Sequence, residues 1–555
     1  MIKIFRNGLL MLAAGVLVVS CADYNVTDDF KAEPDPASVI PYADLNPIKS
    51  YIDREAYPNL SLGATLNVTE FNKQELAHAA TIANFDNVAF GNTLMSGSIV
   101  SAKGVMNFLD MKDLLDHMED IGGEVFGSPI VANSYQADEW LNTLTAPIEI
   151  IVEYVEGKSA DFTTMTTFDG TVEGKGPVEI VKIDGQNVLK VPAGTSANVV
   201  EGFEVDSLAT YTITFWAKSD KSANLVLNFS GNDQVNSGDV KNGKISITPD
   251  SKWKKVVLEC KSGSGVTEGY MKIGTTARSA AVYIQKVQIG YYPDNHRPQT
   301  AQEKTDTINY ALNAWCDGLM KINAGRITSF DLIDEAINAK EELENGMFDL
   351  KHSTEKFYWQ DVLGSENYAP IVSKVASAAY EKHGGDPAAL RFFISESGLD
   401  NPQKMESLNY WIKIWDANGA KIDGINAKLN LTYSEDVAMQ EANKASLDNL
   451  LTGLASTGKL IRLSNFDIKY QDAEGANVQT KVITEEQRQK LADYYGYVIK
   501  SYMTKIPHDK QAGICKGNLV DTGDPVGLWA VDTQSKDWVR TATYKAFCDA
   551  LGGGK

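Results

Sequence analysis

The pattern of apolar and polar residues predicts an α/β protein, a parallel sheet or barrel of repeated strand–helix units, interrupted by an all-β sandwich. Two observations carry this. Residues 57–150 and 294–551 alternate between strand-like and helix-like runs, from NLSLGATLN and FNKQELAHAATIANF through NVAFGNTL to FLDMKDLLDHMEDIGG and EVFGSPIVA. The scheme returns in LRFFISES, MESLNYWIKIWDANG, KIDGINAKLNL, LDNLLTGLASTG and KLIRLSNFDI. Residues 151–293 are different in kind, rich in Thr, Val, Ser and Gly, with period-2 runs such as ATYTITFWAKS, NLVLNFS and WKKVVLEC between turns such as GND and SGSG.

In chain order, MIKIFRNGLLMLAAGVLVVSC opens with Lys3 and Arg6 and an apolar run from Leu9 to Val19. That run is too short to span a bilayer and reads as a secretory signal over residues 1–20. Cys21 after V-V-S resembles the lipobox of bacterial lipoproteins, which implies cleavage before Cys21 and its lipidation. The acidic, proline-bearing stretch that follows suits a tether over residues 21–56. Acidic residues at that place are also typical of surface-exported lipoproteins of Bacteroidetes-like bacteria, implying an outer-membrane anchor and cell-surface exposure. The first α/β part then covers 57–150, the sandwich 151–293 and the second α/β part 294–555, with PDNHRPQ as the exit linker.

The chain has 555 residues, 43% hydrophobic and 23% charged, enough for two or three domains. Its 52 basic and 73 acidic residues leave a formal charge of −21, which repels phosphate backbones and argues against nucleic acid as a partner. A neutral polysaccharide is compatible with it. Cys260, Cys316, Cys515 and Cys548 match no metal spacing and no disulfide framework; Cys316 and Cys548, in NAWCDGLM and YKAFCDAL, read as small core residues.

FDNVAFGNTLMSGSI, KGVMNFLDMKDLLDHMEDIGGEVFG, ITSFDLIDEAI, KIDGINAKLNL, LIRLSNFDI and ATYKAFCDAL, in this order, resemble glycoside hydrolase family 10, the retaining endo-β-1,4-xylanases. The resemblance implies a (β/α)8 TIM barrel with its site at the C-terminal strand ends. It puts Glu335 at the family's acid/base position, with Asp334 where an asparagine is expected. Asn465 stands at the nucleophile position, and a neutral amide is a poor nucleophile. Further family sugar contacts are replaced at Gly91, Met95, Ser128, Ala132, Lys428, Asn430 and Gly517, while Asn92 keeps the family asparagine. Asp467, two residues beyond Asn465, shares its side of an ideal strand and is the one substitute carboxylate in reach. Glu335 itself persists either as a sugar contact or as a structural hydrogen-bonding group.

The insert resembles the jelly-roll carbohydrate-binding modules of families 4 and 22, in GFE, YTITFWAKS and VYIQKVQIG. In YTITFWAK the alternation assigns Tyr211, Ile213, Phe215 and Ala217 to the core and leaves Trp216 on a polar face, for a sugar ring or for a covering loop. Trp216, Phe229, Tyr270, Asn92 and Trp140 are the candidate carbohydrate-binding residues. No cofactor is implied; structural calcium is the one ion such modules admit. These expectations add up to a lipid-anchored, catalytically degenerate glycan-binding protein, for xylan or a related β-1,4-glycan, serving a glycan importer and hydrolases. The alternatives are a working endo-xylanase-type hydrolase with a rearranged site and a scaffold that binds only proteins.

The lipobox reading has a direct check by fractionation. The protein should pellet with membranes, and Cys21→Ala should release it or trap the precursor; an unchanged distribution contradicts lipidation.

Overall fold

The computed structural model describes residues 42–552 apart from 207, 208 and 251, so the signal segment and Cys21 lie outside the described residues. A parallel sheet runs β1 (Ser61–Thr65), β2 (Asn87–Ala89), β3 (Glu124–Val125), β4 (Val131–Ala132), β5 (Ser329–Asp334), β6 (Arg391–Ser397), β7 (Gly424–Lys428), β8 (Leu460–Phe466) and β9 (Gln511–Lys516) along the chain. Its spatial order is β3-β2-β1-β9-β8-β7-β6-β5-β4. The two ends of that path are the halves of one interrupted strand, separated only by residues 126–130. Gly127 bridges to Phe330 in parallel, so the path returns on itself through eight positions. The buried carbonyl of Ile130, in this interruption, accepts a hydrogen bond from the buried Trp315 indole at 2.9 Å.

Helices pack outside the sheet: α1 (Leu76–Asn84), α2 (Leu109–Asp120), α3 (Asp138–Thr145), α4 (Ala301–Asn323), α5 (Tyr368–Lys382), α6 (Pro402–Ala417), α7 (Val437–Ser456), α8 (Glu485–Lys505) and α9 (Ala542–Leu551). Their apolar faces meet the sheet in one cluster that includes Trp315, Phe330, Trp415, Tyr495 and Phe547. Each such side chain contributes ~1.5–3 kcal/mol by leaving water. The helix expected from FNKQELAHAATIANF is broken, because Gln74 takes a left-handed φ of 54° between Val68–Asn72 and α1.

Between α3 and α4 the chain forms two antiparallel sheets around a second cluster, which contains Ile213, Phe215, Phe229 and Met271. Thr210–Lys218 lies in the six-stranded sheet and Ala223–Phe229 in the five-stranded one. The stalks into and out of this part are tied to each other: Ile148–Glu149 pairs with His296–Arg297. The outgoing stalk is also fastened to α4. Arg297 grips Glu303 with contacts of 2.8 and 2.6 Å, and Glu303 closes a capping box with Thr300 at the start of that helix.

The segment expected as a tether to residue 56 is partly structural. Ile48 and Ile52 are buried in the barrel cluster, Arg540 Nη1 donates to the carbonyls of Tyr42, Ala43 and Leu45, and Tyr544 donates to Asn46 O. A polar composition hid two isoleucines that the barrel flank needs. Ile48→Ala should therefore cost about 2–5 kcal/mol, read as a lower urea midpoint; a free tether would leave the midpoint unchanged.

Candidate functional site

Six strand ends converge on one cleft. β5 supplies Asp331 and Asp334; β7 Asn426 and Lys428; β8 Arg462, Ser464 and Asn465; β1, β2 and β9 bring Thr65, Ala89 and Cys515. Glu335, just past the end of β5, and Glu396 on β6 do not line the cleft; Glu335 joins this set through Lys428, and Glu396 through Glu335. The cleft holds about 350 Å³. A larger one of about 720 Å³ adjoins it, sharing Thr65, Phe90, Gly91 and Asn92 and walled by Lys73, Asn518 and Trp538. Both Glu335 (φ 55°) and Asn465 (φ 52°) are in the left-handed region that ordinary residues avoid. Around Glu335 the strain is held by Asn133, whose amide donates to the carbonyls of Asp334 and Glu335 at 3.3 and 3.1 Å.

The charges are paired internally. The Lys428 ammonium contacts the Asp334 carboxylate and lies 3.4 Å from Glu335. Burial alone would lower the Lys428 pKa, but Asp334 and Glu335 outweigh it and raise it. On the other side Glu335 meets Glu396, a fully buried carboxyl whose second partner is Lys404 at 2.7 Å. Burial, then the Glu335 charge, push Glu396 up to about 8 against the pull of Lys404, so at neutral pH it keeps its proton and donates it to Glu335. For Glu335 burial opposes ionisation, but this hydrogen bond and Lys428 hold its carboxyl below the usual range. Deeper in, burial pushes Asp331 up to about 7 despite Arg462, and both its oxygens accept from Asn426 Nδ2 at 3.1 and 3.0 Å.

Asn465 lines the cleft with a neutral amide, which donates to Leu429 O at 3.3 Å. Asp467 does not line it. The left-handed turn at Asn465 breaks the strand's alternation, so the same-side expectation fails. The Asp467 carboxylate instead contacts Lys516 and accepts from Asn518 N at 3.1 Å and Asn518 Nδ2 at 2.6 Å. A side chain on Gly517 would collide with it.

The expected sugar-binding residues separate. Asn92 is exposed between the two clefts. Trp140, on α3, is half-buried against the barrel cluster and the Gly104 loop, and lines neither cleft. Phe229 is corrected outright: it is 0% exposed, with the Tyr211 ring 4.9 Å away, so no sugar can reach its face. Trp216 and Tyr270 are half-exposed on opposite sheets, with Lys255 and Lys272 over their rings at 5.5 and 5.9 Å. Glu396, Lys404, Asp331 and Arg462 escaped the sequence reading. For Glu396, Asp331 and Arg462 the signal was a charged residue inside an apolar strand run, as in LRFFISES and LIRL; Lys404 lies on α6 and left no such signal. Among the described residues no group of three or more His, Cys, Asp or Glu is placed to hold a metal ion.

Residues 291–522 match the family model for glycosyl hydrolase family 10. Among solved structures, an endoxylanase retrieved from sugarcane soil metagenome superposes with a TM-score of 0.52 at 10% identity, over 91% of this chain and 100% of that one. Xylanase10C from Cellvibrio japonicus gives 0.51 at 13% identity, over 90% and 73% of the two chains. At these identities the likeness is one of fold. No curated protein matches the chain.

The carboxyls also set a pH dependence. Glu396 and Asp331 hold protons in the fold up to about 8 and about 7, where ordinary carboxylates in the unfolded chain have released theirs. The fold binds more protons than the unfolded chain in that window, so stability from this source is complete below the ordinary carboxylate range and is lost as pH rises through 7 and 8. Melting temperature should fall between about pH 6 and about pH 9, and Glu396→Gln should flatten part of that fall; an equal fall in the variant contradicts the assignment.

Proposed function

We propose, from the match of residues 291–522 to the family model for glycosyl hydrolase family 10, that the protein uses the barrel to hold a glycan rather than to cut it. What supports this is that the cleft is lined by the neutral amide of Asn465, which the family resemblance puts at the nucleophile position, while Glu335 is already engaged by Lys428 and Glu396. Retaining hydrolysis needs a carboxylate across the sugar ring from the acid, about 5–5.5 Å from it. Glu396 is a second carboxyl, but it sits against Glu335 in a hydrogen bond, beside the acid and not across from it. Asp467 is spent on Lys516 and Asn518.

The two adjoining clefts, rich in amides and hydroxyls with Trp538 as an apolar face, suit a polysaccharide chain. Xylan or a related β-1,4-glycan is the ligand class, by likeness to proteins named xylanases. The inserted sheets act as a carbohydrate-binding module, with Trp216 or Tyr270 as the stacking ring once its lysine swings away. Lipid on Cys21 would keep this assembly at the outer membrane, where it would pass glycan to hydrolases and an importer. The working-hydrolase reading is favoured only by the retained backbone strain at Glu335 and Asn465.

Purified protein should release no reducing sugar from xylan, and Asn465→Glu should leave it inactive, because positioning contacts are missing as well. Wild-type turnover abolished by Glu335→Ala would overturn the non-catalytic reading. In an affinity gel, Trp216→Ala should weaken retention by xylan about tenfold, the loss of one stacked ring worth roughly 1–2 kcal/mol. Normal retention by that variant would move the main ligand site to the barrel.

A further inference from the structure

Away from the strand ends, two histidines from different helices meet ring nitrogen to ring nitrogen. His78, in the first turn of α1, and His117, in the last turn of α2, have their Nε2 atoms 2.7 Å apart. A contact that short needs one proton and one lone pair. Gln74 Nε2 lies 3.4 Å from His117 Nδ1 and donates to it, so His117 carries its proton on Nε2 and His78 Nε2 accepts it. Phe71 packs on both rings, with centroids at 4.8 and 5.5 Å, which takes the pair partly out of water. Burial, then the His117 charge, hold the His78 pKa below its ordinary value. The charged side chains of the neighbouring elements are placed elsewhere. Lys73 and Glu75 are exposed and border the larger cleft, Asp116 is held by Lys112 and Arg326, Glu119 meets Arg326, and Asp113 and Asp120 are exposed on α2.

The pair stands behind one wall of the larger cleft. Lys73, Glu75, Leu76 and Ala77 line that cleft, and Phe71 meets Phe90, which borders both clefts, at 5.4 Å. The turn that supplies this wall holds Gln74 at a left-handed φ of 54°, and the contact to His117 ties it down. We propose that the His78–His117 contact is an acid-released clamp on this wall. With one shared proton it fixes the turn and the start of α1 against α2; with a second proton on His78 Nε2, two N–H groups face each other and the turn comes free. A ligand seated in the larger cleft is then held at neutral pH and let go in acid. A histidine whose pKa is lowered takes up its proton in the fold at lower pH than in the unfolded chain, so the clamp is complete above about 6.5 and is lost as pH falls below it. Its sign is opposite to that of Glu396 and Asp331, so pH separates the two effects.

Hydrogen–deuterium exchange of the full chain, corrected for the intrinsic exchange rate, reads the clamp without any ligand. Between about pH 7.5 and about pH 5, on either side of the ordinary histidine range, protection of residues 72–84 should fall about tenfold while that of α5 holds. His78→Gln puts an amide oxygen where the imidazole nitrogen accepts, and that oxygen takes the His117 Nε2 proton at either pH, so the variant should keep its protection in acid. Unchanged protection of residues 72–84 in the wild type overturns the proposal. So does an equal fall in those residues and in α5, which marks general loosening. A folded His78→Gln protein that still loses protection in acid overturns the role of the pair.

Discussion

Asp331, Asp334 and Glu335 crowd the end of one strand, and their charge must be reconciled with burial before the neighbouring strands can assemble around them. Lys428, on the adjacent face of the barrel, does most of this. Its ammonium meets Asp334 and Glu335 together, and its own pKa rises as a result. Removing one partner from such a buried group is costly, because the remaining charge has no water to turn to. The constraint reaches outward: besides Lys428, Glu335 accepts a hydrogen bond from the protonated Glu396, and Glu396 in turn is anchored by Lys404.

This wiring leaves few charges at the strand ends free to meet a substrate. A hydrolase site needs charges that are poised and exposed to substrate. Here most of them answer one another. Asp467 is consumed by Lys516, which is buried and whose pKa is lowered by burial despite that partner. Arg462 is the exception, with Phe126 against its flat face and a buried Nη2 that has no hydrogen-bond partner.

The parts outside the cleft are fastened with equal economy. Arg540 collects three carbonyls of the N-terminal segment, and Arg297 binds the capping glutamate of α4 to the exit stalk of the inserted sheets. Both arginines act at chain crossings, where a planar, multiply donating group satisfies several acceptors at once. Trp538 lies two residues from Arg540 and also lines the larger cleft, so the anchored N-terminal segment and the groove share a wall.

Much of this was legible in the residues alone. Period-2 and helical spacings located the strands and helices, since burial on one face imposes those spacings locally. The resemblance singled out Asn465 from the sequence, and the structure places it at the rim of the cleft. Tertiary structure decided what spacing cannot express. LRFFISES and LIRL read simply as buried strands; only closure of the barrel brings Glu396 against Glu335 and sets Arg462 over Phe126. Strand alternation put Asp467 beside Asn465, but the left-handed turn at Asn465 carried it away to Lys516. Phe229 and Trp216 looked alike as aromatics in β-runs, and packing between two sheets buried one and left the other half-exposed. Local periodicity is a property of consecutive residues, whereas pairing, proton sharing and exposure depend on side chains tens to hundreds of positions apart, which meet only in the folded chain.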